Sequence, residues 1–155
     1  MLVKLAEELP LEASVDEVWK LLRDTPRLTG LLPGIESVTP LNEDGTEAYA
    51  AKVTDRVGPF KITLNLEVRI TESVEPSVLK ASLKGGDSMG MNRVTGSLHV
   101  ILTPDASGTR MNFETSVEVL GKLATLGAVP IRRRTTQAFA EFARNIQGQF
   151  TKESS

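Results

Sequence analysis

Residues 130–150 read PIRRRTTQAFAEFARNIQGQF, and what this stretch lies against decides the fold. Ile131, Thr135, Ala138, Phe139, Phe142, Ile146 and Phe150 recur at three-, four- and seven-residue spacing, which places them along one side of a helix. Arg132, Arg133, Arg134, Glu141 and Arg144 fall mainly off that stripe. Pro130 suits a helix start, where its missing N–H leaves no hydrogen bond unmade. A long helix with one apolar stripe needs a broad apolar surface to cover.

The preceding sequence supplies that surface. Phe60, Ile62, Leu64, Leu66, Val68 and Ile70 alternate with Lys61, Thr63, Asn65, Glu67 and Arg69, the pattern of a strand buried on one face. The same period runs through Leu79, Ala81 and Leu83, through Val94, Gly96, Leu98, Val100 and Leu102, and through Met111, Phe113, Thr115, Val117 and Val119. Residues 2–9, 35–41 and 46–57 make three further strands. NEDG (42–45), GPF (58–60) and DASG (105–108) are turns between them, so the strands form an antiparallel meander with one wet face.

Near the N-terminus the period changes. Residues 13–24, ASVDEVWKLLRD, predict a helix with a capping box, in which Ser14 caps and Glu17 reaches back to the cap's amide. Val15, Val18, Trp19 and Leu22 share its apolar face. Pro26 is expected to end it, and RLTGLL (27–32) makes a second helical turn running into Pro33-Gly34. Pro33 fixes its own φ and steers Leu32 away from helix, which makes a hard stop between elements.

The predicted order is one strand, two short helices, six strands and a long helix, in one domain over residues 1–155. This is an α+β helix-grip arrangement: a seven-stranded curved antiparallel sheet around the C-terminal helix. Its concave face is too wide for its own side chains to close, so a cavity is expected between helix and sheet. Leu31, Leu32 and Pro33 are predicted to wall one side. Val53, Phe60, Ile62, Leu64, Leu83, Leu98 and Phe113 are expected to line it from the strands, and Thr135 and Phe139 from the helix. Three loops, residues 57–60, 85–91 and 120–126, are expected to gather at the open end, contributing Met89, Met91, Leu123 and Leu126. Gly85, Gly86 and Gly90 read as a mobile connector. Asp55 shares the parity of Tyr49, Ala51 and Val53; exposure at the hairpin mouth and a polar contact to a ligand are both open to it.

Chemistry-bearing patterns are few. The single histidine, His99, alternates away from the Leu98/Val100 face, where it lacks the surroundings of a general base. The chain has no cysteine, hence no disulfide, thiolate ligand or cysteine nucleophile. KGGDSMGMNRVTG (84–96) lacks the spacing of a phosphate-binding loop, and a strand rather than a helix follows it. No catalytic residue, metal ligand set or cofactor is read. Net charge is −2, yet the segment from Lys122 onward holds six basic residues against two acidic ones. Such a basic segment on an acidic body can face an anionic surface or simply be solvated. An acidic body with one Trp and one Tyr argues against a nucleic-acid partner. The N-terminus lacks the apolar core of a signal peptide, and no run reaches membrane-span length, so a soluble, cytoplasmic protein is expected.

LLPGIESV (31–38), VGPFK (57–61), GTRMNFETSVEVLGKLATLG (108–127) and the terminal helix resemble the CoxG-like family, named for the G subunit of carbon monoxide dehydrogenase. That family sits in the START-like, polyketide-cyclase-like (SRPBCC) superfamily with its Bet v 1-like fold. The likeness runs over about residues 2–150, and Leu32-Pro33-Gly34 and Gly121-Lys122-Leu123-Ala124 are its most specific pieces. It implies a hydrophobic cavity and an accessory role to a molybdenum-dependent CO dehydrogenase, recruiting it to the membrane and handling quinone. Many members carry a C-terminal membrane-binding extension. Here the chain stops at QFTKESS (149–155), so the resemblance implies at most weak peripheral contact at the inner membrane face. The expected function is a non-catalytic carrier of a hydrophobic small molecule such as a quinone. A cyclase or dehydratase-type enzyme is the alternative, and it would need inward polar groups beyond Asp55, Thr115 and Thr135. The third reading is an assembly factor with a closed core.

Overall fold

The strong alternation of the central strands produces one continuous sheet that curls around the apolar stripe of the terminal helix. The computed structural model describes residues 1–150, apart from the side chains of residues 42 and 43. Lys152, Glu153 and the rest of the terminal stretch read above lie outside the described residues. The elements are β1 (Leu2–Leu11), α1 (Val15–Arg23), α2 (Thr25–Thr29), β2 (Ile35–Glu43), β3 (Thr46–Val57) and β4 (Phe60–Val74). They continue with β5 (Val78–Gly86), β6 (Asn92–Asp105), β7 (Gly108–Gly121), a 3₁₀ turn (Lys122–Leu126) and α3 (Ala128–Phe150). All seven strands are antiparallel in the order β1-β7-β6-β5-β4-β3-β2, which is the helix-grip, Bet v 1-like architecture.

Several boundaries differ from the sequence reading, each for a local reason. Pro26 does not end the first helix. It sits in the first turn of α2, where a missing N–H is tolerated, and Asp24 both ends α1 and caps α2 by accepting from Arg27 N at 3.3 Å. Ser14 does cap α1, accepting from Glu17 N at 3.2 Å, but the Glu17 carboxylate accepts a hydrogen bond from the Ser14 hydroxyl at 3.2 Å instead of reaching the cap's amide. The β2–β3 turn is Asp44-Gly45, both with positive φ, as a two-residue hairpin turn needs.

Gly85 and Gly86 belong to β5, not to a loose connector. A β-carbon on Gly85 would run into the Asn65 carbonyl oxygen of β4, and one on Gly86 into that of Asn92 on β6. The backbones approach this closely because no side chain intervenes. The turn beyond them is tied as well. The Asp87 carboxylate accepts from Met91 N at 2.7 Å, Asn92 N at 3.3 Å and Asn92 Nδ2 at 2.8 Å.

The interior divides into two clusters. The first packs α1 and the second half of α3 onto β1, β5, β6 and β7, through Leu9, Leu11, Val18, Leu21, Met111 and Ile146 among others. The second fills the opposite end with Val3, Val57, Ile62, Val94, Val119, Leu123 and Ile131. At the edge of the first, the Thr109 hydroxyl is fully buried and donates to the Ala13 carbonyl at 2.7 Å, pinning the β1–α1 turn.

A polar bridge secures the small helices to the sheet. Arg23 of α1 pairs with Glu47 of β3, which also accepts the Tyr49 hydroxyl at 2.6 Å. Burial by itself would raise the Glu47 pKa, but donation from Arg23 and Tyr49 outweighs it and holds the carboxyl below its ordinary value of 4.5. Because the folded carboxyl is the more acidic one, its contribution to stability is complete above about pH 4.5 and is lost as pH falls through the lower folded value. Glu47→Gln should therefore flatten the decline of the urea midpoint between about pH 6 and pH 3, by less than roughly 1 kcal/mol for a group this exposed. Parallel acid limbs in wild type and variant would show that the bridge contributes nothing.

Candidate ligand cavity

Between α3, the two small helices and the concave face of the sheet lies a cavity of about 320 Å³. Its wall is hydrocarbon almost throughout. Leu5, Leu98, Val100, Met111 and Phe113 line it from the sheet, Leu22 and Leu28 from the small helices, and Ala138, Phe139 and Phe142 from α3. The Phe139 ring lies 5.3 Å from Phe113 and 6.3 Å from Phe142, so three tilted rings form one wall.

The mouth is built by the Leu31–Ile35 corner. Leu31 is buried in the first cluster, while Leu32, 36% exposed, lines the cavity with Pro33 and Ile35. Gly34 has φ of 79° and closes onto β3, its carbonyl accepting from Thr54 N at 2.8 Å. A side chain there would meet the Thr54 oxygen at 2.8 Å. From the other side Asn145 of α3 donates to the Leu31 carbonyl at 3.0 Å. The corner is thus held at both ends, which leaves Leu32 and Pro33 facing the cavity.

Among the described residues two hydroxyls reach this space, and both protons are committed. Thr135 Oγ1 donates to the Ile131 carbonyl at 2.8 Å, and Thr115 Oγ1 to that of Ser97 at 2.9 Å. What they offer a ligand is acceptor lone pairs. Among the described residues no titratable side chain lines the cavity. Among the described residues no group of three His, Asp or Glu side chains gathers as a metal site.

The structure brings Leu32, Pro33, Leu98, Phe113, Thr135 and Phe139 together at the cavity. It places the other expected residues elsewhere. Ile62 and Leu123 are core of the second cluster, with Phe60, Leu64 and Leu126 packed against it, and the cavity shares no residue with that cluster. The 3₁₀ turn packs Leu123 into the sheet's end, so this end does not lead into the cavity; Phe60, Ile62, Met91 and Leu123 instead border a separate cleft of about 310 Å³ where the three loops gather. Val53 and Leu83 are half-buried on the concave face outside the lining. Met89 and Met91, 79% and 45% exposed, point outward. Asp55 is bound by Arg134, whose Nε donates to both carboxylate oxygens at 2.9 Å, and it also accepts from Arg56 N at 2.8 Å. This pair ties the first turns of α3 to β3, so Arg134 is not simply solvated and Asp55 lies outside the cavity lining. His99 faces the outer surface between Lys80 and Glu114 of the neighbouring strands. Leu5, Leu22, Leu28, Ile35, Leu79, Val100, Met111, Ala138 and Phe142 also line it and are not among the expected lining residues. The inward parity of Leu5 and Leu79 could have found them, whereas Leu28 and Ile35 depend on how the corner folds.

The family model for the G subunit of carbon monoxide dehydrogenase (CoxG) matches residues 8–151. None of the curated proteins compared with the chain matches it. Among solved structures, a conserved protein from Geobacillus kaustophilus is similar at TM-score 0.81 and 24% identity, over 97% of this chain and 95% of that one. Norcoclaurine synthase from Thalictrum flavum follows the same fold at TM-score 0.63 and 16% identity, over 96% and 86% of the two chains. The di-domain ARO/CYC protein StfQ from the steffimycin biosynthetic pathway does so at TM-score 0.68 and 12% identity, over 96% of this chain and 50% of that one. At these identities the likenesses show the fold alone. Family and fold together support a ligand-binding or accessory role, and no described helix is long and apolar enough to cross a membrane. The chain belongs to the CoxG family, that of the carbon monoxide dehydrogenase G subunit.

Proposed function

We propose that this protein is a non-catalytic binder of a lipophilic ring compound, of which a quinone is the leading example. In this reading it serves as a cytoplasmic accessory to a molybdenum-dependent CO dehydrogenase-type enzyme at the inner face of the membrane. The observation that carries the reading is the cavity's lining: hydrocarbon and aromatic rings, with both hydroxyl protons already donated to backbone. Its volume of about 320 Å³ lies near the small end of ligand pockets, which suits a ring system with a short substituent. Burying such a ligand at about 25 cal/mol per Å² is sufficient for affinity on the order of micromolar, after association costs, without an ionic contact. A cyclase or dehydratase would need a group that moves protons, and the lining offers none. An assembly factor with a closed core does not need an open cavity.

Titration calorimetry with a short-chain naphthoquinone tests this. Wild type should bind with little salt dependence. Leu32→Asp, at the partly exposed mouth, should weaken binding at least about tenfold while leaving the melt intact. Met89→Asp and His99→Gln, remote from the cavity, should bind like wild type. No heat of binding in wild type, or equal affinity in Leu32→Asp, would overturn the proposal.

A further inference from the structure

The cleft where the three loops gather is bounded by a strand with one free edge. β5 runs beside β4 only as far as Gly86, which stands opposite Asn65, so residues 60–64 of β4 keep β3 as a neighbour and have none on the other side. The register fixes which backbone groups this leaves open. Thr54 N donates to the Gly34 carbonyl at 2.8 Å, so Thr54 addresses the β2 side while Val53 and Asp55 address β4. Their partners Leu64 and Ile62 are thereby bonded to β3. Lys61 and Thr63 turn their N–H and C=O groups the other way, into the cleft that both residues line. On the β5 side Asp87 N donates to the Asn92 carbonyl at 3.4 Å, so Gly86 is the last residue there to address β4. Among the described residues no hydrogen bond reaches the Lys61 or Thr63 backbone on this side.

The edge stays open because the turn after Gly86 closes on β6. The Asp87 carboxylate accepts from Met91 N, Asn92 N and Asn92 Nδ2, all at the β6 end of the turn. Phe60, Ile62, Met91 and Leu123 supply apolar surface to the cleft, and Lys61 and Lys122 stand exposed at its rim. The Lys122 ammonium lies 5.2 Å from the centre of the Phe60 ring. Neither lysine forms an ion pair among the described residues. Glu36 feels the Lys61 charge but is bound by Lys52 and Thr54, and Asp87 is occupied by its turn.

The alternation of donors and acceptors decides between occupants. A simple anion would meet the N–H groups of Lys61 and Thr63 but also their carbonyl oxygens, which repel it. An extended peptide presents the complementary alternation. The sheet's outer edges suit one less well, since β1 carries Pro10 and β2 carries Pro40, whereas residues 60–64 hold no proline. We propose that this cleft takes a short, extended acidic segment of a partner protein, paired with the backbone of Lys61 and Thr63 where β5 would have continued. Its alternate side chains meet Ile62 and Leu123 on one face and the two lysines on the other. The inference rests on this strand edge alone, and the cleft shares no residue with the cavity.

A fluorescein-labelled hexapeptide of alternating valine and glutamate, followed by anisotropy against the full chain, tests it. Wild type should bind it, several-fold more weakly at high salt. N-methylation of one alternate set of its residues, which keeps the charge and removes the donors of one edge, should weaken binding about tenfold. Methylation of the other set, facing solvent, should leave it unchanged. Lys61→Gln with Lys122→Gln, at exposed positions, should weaken it at least about fivefold while naphthoquinone binding stays as in wild type, which separates this site from the carrier reading. Hydrogen exchange reports the edge directly. In the free protein the Lys61 and Thr63 amides should exchange fast beside protected Ile62 and Leu64, and saturating peptide should slow them at least about tenfold. No binding by wild type, equal affinity for both methylated peptides and the parent, displacement by inorganic phosphate at matched ionic strength, or protection on β1 or β2 in place of Lys61 and Thr63 would overturn the proposal.

Discussion

Phe142→Ala should lower stability by about 3–5 kcal/mol, whereas Arg133→Ala nine residues earlier on α3 should stay within about 0.5 kcal/mol of wild type. Phe142 is 7% exposed, belongs to the first core cluster and forms the aromatic wall with Phe139. Truncation removes the hydrophobic transfer of a whole ring and enlarges a void beside an existing cavity, where neighbours cannot collapse to refill it. Arg133 faces water on the opposite side of the same helix. The pair of urea melts therefore asks whether α3 is held by one stripe. Equal midpoints would mean that it is not, and the grip of sheet on helix would have to be redrawn.

Elements whose periodicity runs for many residues were legible in the sequence alone. The alternation from Phe60 to Ile70 and the stripe from Ile131 to Phe150 each repeat one instruction, and a long repeat tolerates local noise. Leu32 and Pro33 were legible too, because Pro33 and Gly34 restrict the backbone strongly enough to force a corner whatever surrounds it. The errors fall where a short segment answers to a distant one. Leu123 and Leu126 look the same in sequence whether the turn holding them plugs the sheet or gates it. Only the packing of Val3, Val57 and Ile62 against Leu123 decides, and those residues come from three different strands. Asp55 and Arg134 are 79 positions apart, so no local pattern predicts that they meet. Hence the fold could be read and the open side of the cavity could not: the former follows from repeated local patterns, the latter from which end long-range contacts close.

Gly85→Ala should cost about 3 kcal/mol, while Gly90→Ala, five residues away, should cost about 1 kcal/mol. A mobile connector would give the opposite ranking, since Gly90 alone of the two has positive φ, 72°, and a side chain at Gly85 would then have room. In the structure the new methyl at position 85 meets the carbonyl group of Asn65 and the Leu66 backbone, which are part of the β4–β5 ladder and cannot rotate aside as a side chain can. The two strands must separate locally, breaking hydrogen bonds on both sides of the contact, or the sheet must lose the curvature that brings β5 under α3. At Gly90 nothing lies within 4 Å of an added β-carbon, and the cost is the backbone strain alone. Thermal or urea midpoints of the two variants rank these costs directly. The quinone titration adds a second reading, because flattening the sheet at Gly85 would open the space between Leu98 and Phe139 and weaken binding, whereas strain in the turn at Gly90 would leave the cavity as it is. A Gly90 variant less stable than the Gly85 variant would return residues 85 and 86 to the loop and remove this constraint on the sheet's curvature.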